Sequence, residues 1–198
     1  MPDTSQVCSW CRGDKLLYDY HCGEWGIPLH DDVRHFEYLA LEAMQCGLSW
    51  LLVLKKRDAI RKAFSGFDVR RVAGYTEADI QTALEAPGMI RSAGKIRAVV
   101  NNAGVFCKMQ EEYGSFDSWL WSYTDGKTLV YKSHRSGLPA SNSLSDEISA
   151  FLRKRGMKYL GSVTVYSYLQ AAGIINDHEP CCRLYEYINS SFPVRFAD

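Results

Sequence analysis

The chain has 198 residues, and its 23 basic and 23 acidic side chains give a formal net charge of zero. With 46% apolar and 23% charged residues it has the balance of a globular chain that can bury a core, which excludes wholesale disorder. A neutral chain is also a poor candidate for non-specific coating of nucleic acid, so any contact with DNA must use a local basic patch.

Length and the first residues set the expectations about organisation. A chain of this length suits a single domain, so we predict one domain over residues 1–198 and a monomer. The first residues are polar and lack the pattern of a signal peptide, and no apolar run approaches the length of a membrane span. We therefore expect a cytoplasmic protein without membrane contact. Its seven cysteines, an odd number in a reducing compartment, argue against a disulfide framework.

Helical periodicity dominates the chain up to residue 123. Apolar residues recur three and four positions apart, as on one face of a helix, and typical capping residues border these stretches. Thr76 and Asp79 have the spacing of a capping box. We predict helix boundaries at the following residues: Asp31, Gly47, Ser49, Thr76, Ser92 and Gly114. A further short helix is predicted from Phe116 to Tyr123.

The C-terminal third is interpreted as a loop followed by two helices. Residues 125–142 are polar with Gly and Pro, and we predict a long surface loop there. Ser143 or Ser145 opens a helix, residues 156–161 form a tight break, and a final helix ends at Gly173. Because period-two alternation is scarce along the whole chain, the sequence predicts an all-α fold.

Side chains that bind transition metals cluster at both ends of the chain. Two cysteines and two histidines could supply the four N and S ligands of a tetrahedral zinc site, which would join chain ends separated by most of the sequence. These candidate ligands are Cys8, His21, His178 and Cys182. Spacing alone leaves alternatives open, because Cys11 forms an equally plausible half-site with Cys8, and Cys181 competes with its neighbour.

Two glycines five residues apart, Gly156 and Gly161, lie between two predicted helices in a helix–hairpin–helix pattern. In such a hairpin, backbone N–H groups at the turn and at the start of the next helix can point toward a phosphate. Four basic residues add a local positive field to the neutral chain. They are Arg153, Lys154, Arg155 and Lys158. The alternative is a plain corner between helices with a solvated basic face.

A carboxylate and several aromatic residues form a further candidate group. Glu42 falls at the border of the apolar face of its predicted helix, and Trp50 follows it closely. Tyr20 and Trp10 lie near His21, so a metal at the chain ends would hold these rings in one neighbourhood. An anion with aromatic rings suits a flat, positively charged heterocycle. The alternative is an exposed Glu42 and rings that belong to the core.

Taken together, these residues resemble the bacterial 3-methyladenine DNA glycosylase I family of the helix–hairpin–helix glycosylase superfamily. The resemblance extends from about residue 8 to residue 182 and leaves residues 183–198 as a tail. It is carried by several short segments that are specific in combination. They are Cys8-Ser-Trp10, Tyr20-His21, Glu24-Trp-Gly26, Leu41-Glu42, Gln45, Gly47-Leu-Ser-Trp50, Val53-Leu-Lys-Lys-Arg57, Gly94-Lys-Ile96, Lys154-Arg-Gly156 and Asn176-Asp-His178.

The resemblance implies a helix–hairpin–helix glycosylase fold whose chain ends are joined by one structural zinc ion. It also implies hydrolytic excision of 3-methyladenine from alkylated double-stranded DNA. The zinc ligands it implies are Cys8, His21, His178 and Cys182. The base pocket it implies contains Tyr20, Trp50 and Trp10, with Glu42 as the catalytic carboxylate. The DNA contacts it implies are Gly47, Leu48, Gly156, Lys158 and Gly161.

Other functions are weighed against this one. A lyase-type or iron–sulfur glycosylase needs four clustered C-terminal cysteines, and only Cys181 and Cys182 lie there. A metal-dependent phosphohydrolase is disfavoured because Asp177-His178 reverses the order that such sites use. The main alternative is a non-enzymatic, zinc-stabilised helix–hairpin–helix module that binds DNA. The position of Glu42 on a face lined by aromatic residues argues against it.

Overall fold

The computed structural model describes residues 6–197, without the side chains of residues 135 and 136. This part of the chain is mostly helical. The helices are α1 (Lys15–Gly23), α2 (Asp32–Gln45), α3 (Trp50–Ala63), α4 (Val69–Ala73), α5 (Glu77–Glu85), α6 (Ala93–Tyr113), α7 (Phe116–Ser122), α8 (Ser143–Lys154), α9 (Ser162–Ala171) and α10 (Arg183–Ser191). Short 3-10 helices span Ser9–Cys11, Ser65–Phe67 and Ser133–Ser136, and two strands are β1 (Thr128–Tyr131) and β2 (Val194–Ala197).

Local capping explains three of the predicted helix starts, whereas Ser92 precedes α6 without a side-chain capping bond. The Asp31 carboxylate accepts a hydrogen bond of 2.8 Å from the Arg34 backbone N–H at the start of α2. The Ser49 side chain caps α3 in the same way, and Thr76 and Asp79 form the predicted capping box of α5. These side chains satisfy N–H groups that a helix cannot satisfy itself, so sequence predicts them well.

The described chain divides into two compact units. The first consists of the described residues of Met1–Leu29, Trp121–Ala140 and Leu169–Asp198, and the second of His30–Leu120 and Ser141–Tyr168. The prediction of a single domain over residues 1–198 stays a prediction.

The first unit contains a parallel two-stranded sheet, in which Thr128 of β1 pairs with Val194 of β2. The prediction of a surface loop over residues 125–142 is therefore wrong for β1, whose first three residues are buried. A four-residue strand without polar alternation has no period-two signal, and its partner lies far along the chain. The prediction of an all-α fold is accordingly corrected to a mostly helical one. The tail predicted over residues 183–198 forms α10 and β2.

In the second unit, α2 is a central helix. Every residue from 35 to 44 is buried, which means that all sides of the helix are covered. One buried carboxylate on it, Glu37, accepts hydrogen bonds of 2.8 Å from Arg57 and 2.6 Å from Arg61. Glu42 lies on the same helix and is buried as well.

Over residues 6–197, no helix combines the length and the apolar character that a membrane span requires.

Candidate functional site

The first unit gathers the four residues named as metal ligands. Their ligand atoms, from Cys8, His21, His178 and Cys182, all lie within 4.8 Å of one another, and all four side chains are buried. The Nδ1 atom of His178 lies 3.5 Å from the Cys8 sulfur and 3.6 Å from the Cys182 sulfur. The Nε2 atom of His21 lies 3.6 Å from the Cys182 sulfur.

These distances fit the edges of a tetrahedral metal site. Zinc bonds of roughly 2.3 Å to sulfur and 2.0 Å to nitrogen place neighbouring S and N ligands about 3.6 Å apart. The Nε2–H of His178 donates a hydrogen bond of 3.2 Å to the Trp25 carbonyl, which leaves Nδ1 with a lone pair toward the sulfur atoms. A hydrogen bond from Cys8 lowers the pKa of the Cys182 thiol and favours the metal-binding thiolate.

The two competing cysteines are not part of this cluster. Cys11 is buried, and its thiol donates to the Cys8 carbonyl at 3.1 Å. Cys181 is exposed, and its thiol lies 3.7 Å from a carboxylate oxygen of Glu179. The Glu179 backbone N–H instead donates to the Cys8 sulfur at 3.2 Å, a contact that suits a thiolate. The structure thus separates the alternatives that spacing left open.

Aromatic side chains surround the candidate ligands within the first unit. Trp10 has its ring centroid 5.2 Å from Trp25 and 5.4 Å from His21. Trp25 lies edge-on to His178 at 4.6 Å, and Tyr20 lies 6.4 Å from Trp10. Tyr20 is buried, whereas Trp10 is 38% exposed and offers a ring face to a ligand. Trp10 therefore packs on His21 directly and is linked to His178 through Trp25.

Glu42 belongs to the second unit and is only 4% exposed. Burial raises the pKa of its carboxyl group from 4.5 to about 8. Among the described residues, none compensates by an opposite charge or a hydrogen bond to the carboxylate. The alternative of an exposed Glu42 is therefore wrong. A buried, uncompensated carboxyl group on a central helix is typical of a functional group rather than a structural one.

The turn after α2, residues 45–48, contains the glycine and leucine predicted to contact DNA. Gly47 is exposed with a φ of +75°, a conformation that favours glycine, and Leu48 is half-buried. The Leu48 backbone N–H donates a hydrogen bond of 2.7 Å to the Gln45 carbonyl, which closes the turn. Trp50 begins α3 directly after it and is half-buried.

The predicted hairpin lies between α8 and α9, and residues 155–161 form the turn. Gly156 has a φ of +96° and is exposed, as are Lys158 and Gly161. The Lys158 backbone N–H donates to the Asn102 side chain at 2.8 Å, and Asn102 donates back to the Lys158 carbonyl at 2.9 Å. Asn101 donates to the Gly156 carbonyl at 2.8 Å. Two amide side chains of α6 therefore hold the turn in place.

The basic field of the hairpin is smaller than the sequence predicts. Arg155 is occupied by an ion pair with Glu112 and by a hydrogen bond of 2.8 Å to the Tyr113 hydroxyl. Arg153, Lys154 and Lys158 remain exposed. These three positive charges are consequently the ones available to a phosphate backbone.

Sequence reasoning assigned no role to three residues that support these groups, Trp25, Lys95 and Asn102, although the first two lie in the segments that carry the family resemblance. Trp25 binds a candidate metal ligand through its carbonyl, which no sequence pattern reveals. Lys95 and Asn102 are polar residues of α6 that contact segments roughly fifty residues away. A buried asparagine on the apolar side of a predicted helix is the one signal that could have marked Asn102.

Comparison with known proteins agrees with these observations. Residues 10–185 match the family model of methyladenine glycosylase. The DNA-3-methyladenine glycosylase 1 of Escherichia coli K12 is 39% identical over 90% of this chain and 96% of its own length. The structure is similar to that of 3-methyladenine DNA glycosylase I from Staphylococcus aureus, solved to explain 3-methyladenine recognition (TM-score 0.85, 37% identity, 90% of this chain and 96% of that one). It is equally similar to a variant of 3-methyladenine DNA glycosylase I in complex with 3-methyladenine (TM-score 0.85, 37% identity, 89% and 96%). The chain belongs to the methyladenine glycosylase family.

Proposed function

We propose that this protein is a DNA glycosylase that excises 3-methyladenine from alkylated DNA by hydrolysing its N-glycosidic bond. A relative that this chain matches over 96% of its length carries that activity in its name, and one similar structure holds 3-methyladenine itself. The observation that carries the proposal within this chain is the buried Glu42 carboxyl group, which lacks a positively charged partner among residues 6–197.

Glu42 recognises the lesion by its charge. Methylation at N3 makes the adenine of the nucleotide cationic, and a cation is what an uncompensated buried carboxylate attracts. Because the pKa of Glu42 is about 8, the group is largely neutral near pH 7 and ionises when a cation binds beside it. Unmodified adenine brings no charge, so it cannot offset the cost of ionising Glu42. Trp50, which belongs to the same unit, supplies an aromatic face for stacking, and Tyr20 and Trp10 stay predicted pocket residues.

The chemical step itself needs little acid catalysis. Water forms a bond to the sugar carbon and releases one proton to the solvent, and the base leaves with the electrons of the glycosidic bond, which neutralises its positive charge. Positive charge meanwhile moves to the sugar, whose transition state resembles an oxocarbenium ion. An anion close to both groups is favourable throughout, so Glu42 acts by electrostatics and recognition.

The 45–48 turn and the 155–161 turn are the DNA-binding elements of this proposal. The second acts as the turn of a helix–hairpin–helix motif, with Gly156, Lys158 and Gly161 next to the phosphate backbone of double-stranded DNA. Two observations support this role: the turn is exposed, and a hydrogen bond to Asn102 holds it in place. Gly47 and Leu48 enter the stack where the base leaves, at a cost of about a few kcal/mol for unstacking.

A structural zinc ion is part of the proposal. Cys8, His21, His178 and Cys182 would hold it, and their mutual distances and burial support this assignment. The ion would stabilise the first unit by joining the first and the last of its three chain segments. Since Trp10 and Trp25 pack on the histidine ligands, the ion would also order these rings.

Release of free base tests the proposed function. The protein is incubated with DNA methylated at adenine N3, and the released bases are separated by chromatography. We expect 3-methyladenine in the soluble fraction and no adenine from unmethylated DNA of the same sequence. Tight DNA binding with no released base would replace the proposal by the non-enzymatic DNA-binding module.

Replacing Lys158 by Met tests the hairpin. Loss of one phosphate contact is expected to weaken binding to any duplex about fivefold and to reduce the salt dependence of log Kd by about one unit. Binding is measured by fluorescence anisotropy between 50 and 200 mM salt, roughly the range where such contacts dominate. Lys62→Met, another exposed lysine of the second unit, is the matched control. An unchanged salt slope in the Lys158 variant would contradict the placement of the hairpin on the backbone.

A further inference from the structure

Lys95, near the start of α6, makes two short contacts with the end of α2. Its ammonium group donates hydrogen bonds of 2.8 Å to the Met44 carbonyl and 2.6 Å to the Cys46 carbonyl. The last carbonyls of a helix have no partner within the helix and form its negative end. A lysine there both satisfies them and complements the helix dipole.

These carbonyls belong to the backbone that leads into the 45–48 turn. Within the turn, the Leu48 backbone N–H bonds the Gln45 carbonyl, and the Gln45 side-chain amide donates to the Leu48 carbonyl at 3.2 Å. Gly47 within the turn is exposed with a positive φ. Lys95 ties the start of α6 to the backbone that enters the turn carrying Leu48.

The same end of α6 also supports the hairpin. A Cβ atom on Gly94 would lie 3.3 Å from the Tyr159 hydroxyl, so the absent side chain leaves room for this residue of the 155–161 turn. The Cys46 thiol in turn lies 3.7 Å from the Tyr159 carbonyl. The 45–48 turn, the start of α6 and the hairpin therefore form one continuous set of contacts within the second unit.

We propose that Lys95 is a positioning residue for base extrusion, which holds the 45–48 turn rigid so that Leu48 can enter the DNA stack. This inference rests on the proposed function. Extrusion opposes base stacking, and a side chain can displace a base only if its own backbone does not yield. Lys95 has no part in breaking the glycosidic bond. Replacing it should therefore slow base release more when extrusion of the base costs more free energy.

The experiment compares one methylated strand on two complements. A strand methylated at adenine N3 is annealed either to its full complement or to a complement with an abasic position opposite the lesion. The unpaired base leaves the stack at lower cost, while the backbone and the chemical step are the same. For Lys95→Met, we expect the rate of base release to fall about 30-fold on the paired duplex and less than about threefold on the other.

The ratio of the two rates does not depend on how much of the variant is folded. Both rates come from one preparation, so a smaller folded fraction cancels in the ratio. Lys95→Arg, which keeps a charged donor, should restore most of the paired-duplex rate, and Gln45→Leu should shift the ratio in the same direction as Lys95→Met. Lys108→Met, an exposed lysine of the same helix, is the matched control.

Two results would overturn the inference: equal losses on both duplexes, which would indicate a general structural role, or no loss on either. The activity of the wild-type protein distinguishes failure of this inference from failure of the proposed function. If wild type releases no 3-methyladenine from either duplex, the proposed function fails and Lys95 loses its role with it. If wild type is active and the ratio for Lys95→Met is unchanged, only the role of Lys95 fails.

Discussion

Replacing Glu42 by Gln is expected to reduce the rate of 3-methyladenine release by about 10- to 100-fold, because a hydrogen bond to a charged group is worth roughly 1.5–3 kcal/mol. Gln keeps the shape of the buried side chain and removes only its ability to become an anion. Single-turnover release from methylated duplex DNA measures the effect. Glu111→Gln, which removes an exposed carboxylate of the same unit, is the matched control and should match wild type.

The pH profile gives this prediction a second readout. The Glu42 pKa of about 8 means that the anion is the minor form of the free enzyme at neutral pH. We expect kcat/KM to rise with pH and to level off above about pH 8, since this parameter reports groups of the free enzyme. In Glu42→Gln the inflection should vanish. A variant that keeps both the rate and the inflection would remove Glu42 from the mechanism.

Stability should change with pH in the opposite sense. The folded-state pKa of Glu42 lies above the unfolded value of 4.5, so the folded protein holds the proton more tightly. The contribution of Glu42 to the free energy of unfolding is fully favourable below pH 4.5 and is lost as pH rises through about 8. At pH 9 we expect Glu42→Gln to be more stable than wild type by about 3–5 kcal/mol in urea unfolding. An active-site carboxyl group that lowers stability is the expected pattern, because function and stability compete there.

Local signals account for the parts of the fold that sequence predicts correctly. Asp31, Ser49 and Thr76 cap helices through contacts with residues three positions away, so their effect is visible in a short stretch of sequence. The β1–β2 pair has no such signal. Its two four-residue strands pair in parallel although they are separated by most of the C-terminal third. Parallel pairing of distant short strands depends on the assembled core and not on a local pattern.

The residues of the candidate site likewise differ in how far the sequence predicts them. Cysteines and histidines at both chain ends allowed candidate metal ligands to be named from sequence, but spacing could not decide whether Cys11 forms a half-site with Cys8 or whether Cys181 replaces Cys182. Glu42 could be noted as unusual, but its burial and raised pKa are properties of the packed second unit. Lys95 was visible only as a residue of a family segment, since its hydrogen bonds join atoms about fifty residues apart.

The distribution of chain segments explains why the first unit should depend on a metal. It is built from the described parts of three separate segments, and its sheet has only two short strands. A two-stranded sheet is marginal on its own. The cluster of Cys8, His21, His178 and Cys182 joins the first and last of these segments in its interior. A bound ion would replace much of the stabilisation that a larger core provides elsewhere.

Replacing Cys182 by Ser is accordingly expected to lower Tm by about 20–40 °C, since structural zinc contributes on the order of 10 kcal/mol and each kcal/mol shifts Tm by roughly 2–4 °C in a chain of this size. Cys181→Ser is an unusually close control, because it changes the adjacent cysteine, which is exposed and outside the cluster. Differential scanning fluorimetry measures Tm, and mass spectrometry of acid-digested protein measures zinc. We expect about one zinc ion per chain in wild type and in Cys181→Ser, and far less in Cys182→Ser.

Removal of the ion from wild-type protein should reproduce the effect of the substitution. A strong chelator at a temperature just below Tm is expected to unfold wild type and Cys181→Ser, and added zinc should reverse the change. Because Trp10 and Trp25 pack on the histidines, tryptophan fluorescence should follow the same transition. If wild-type protein carries no metal and Cys182→Ser melts at the same temperature as Cys181→Ser, the four side chains are an ordinary buried cluster. The order of the first unit must then come from its apolar packing alone.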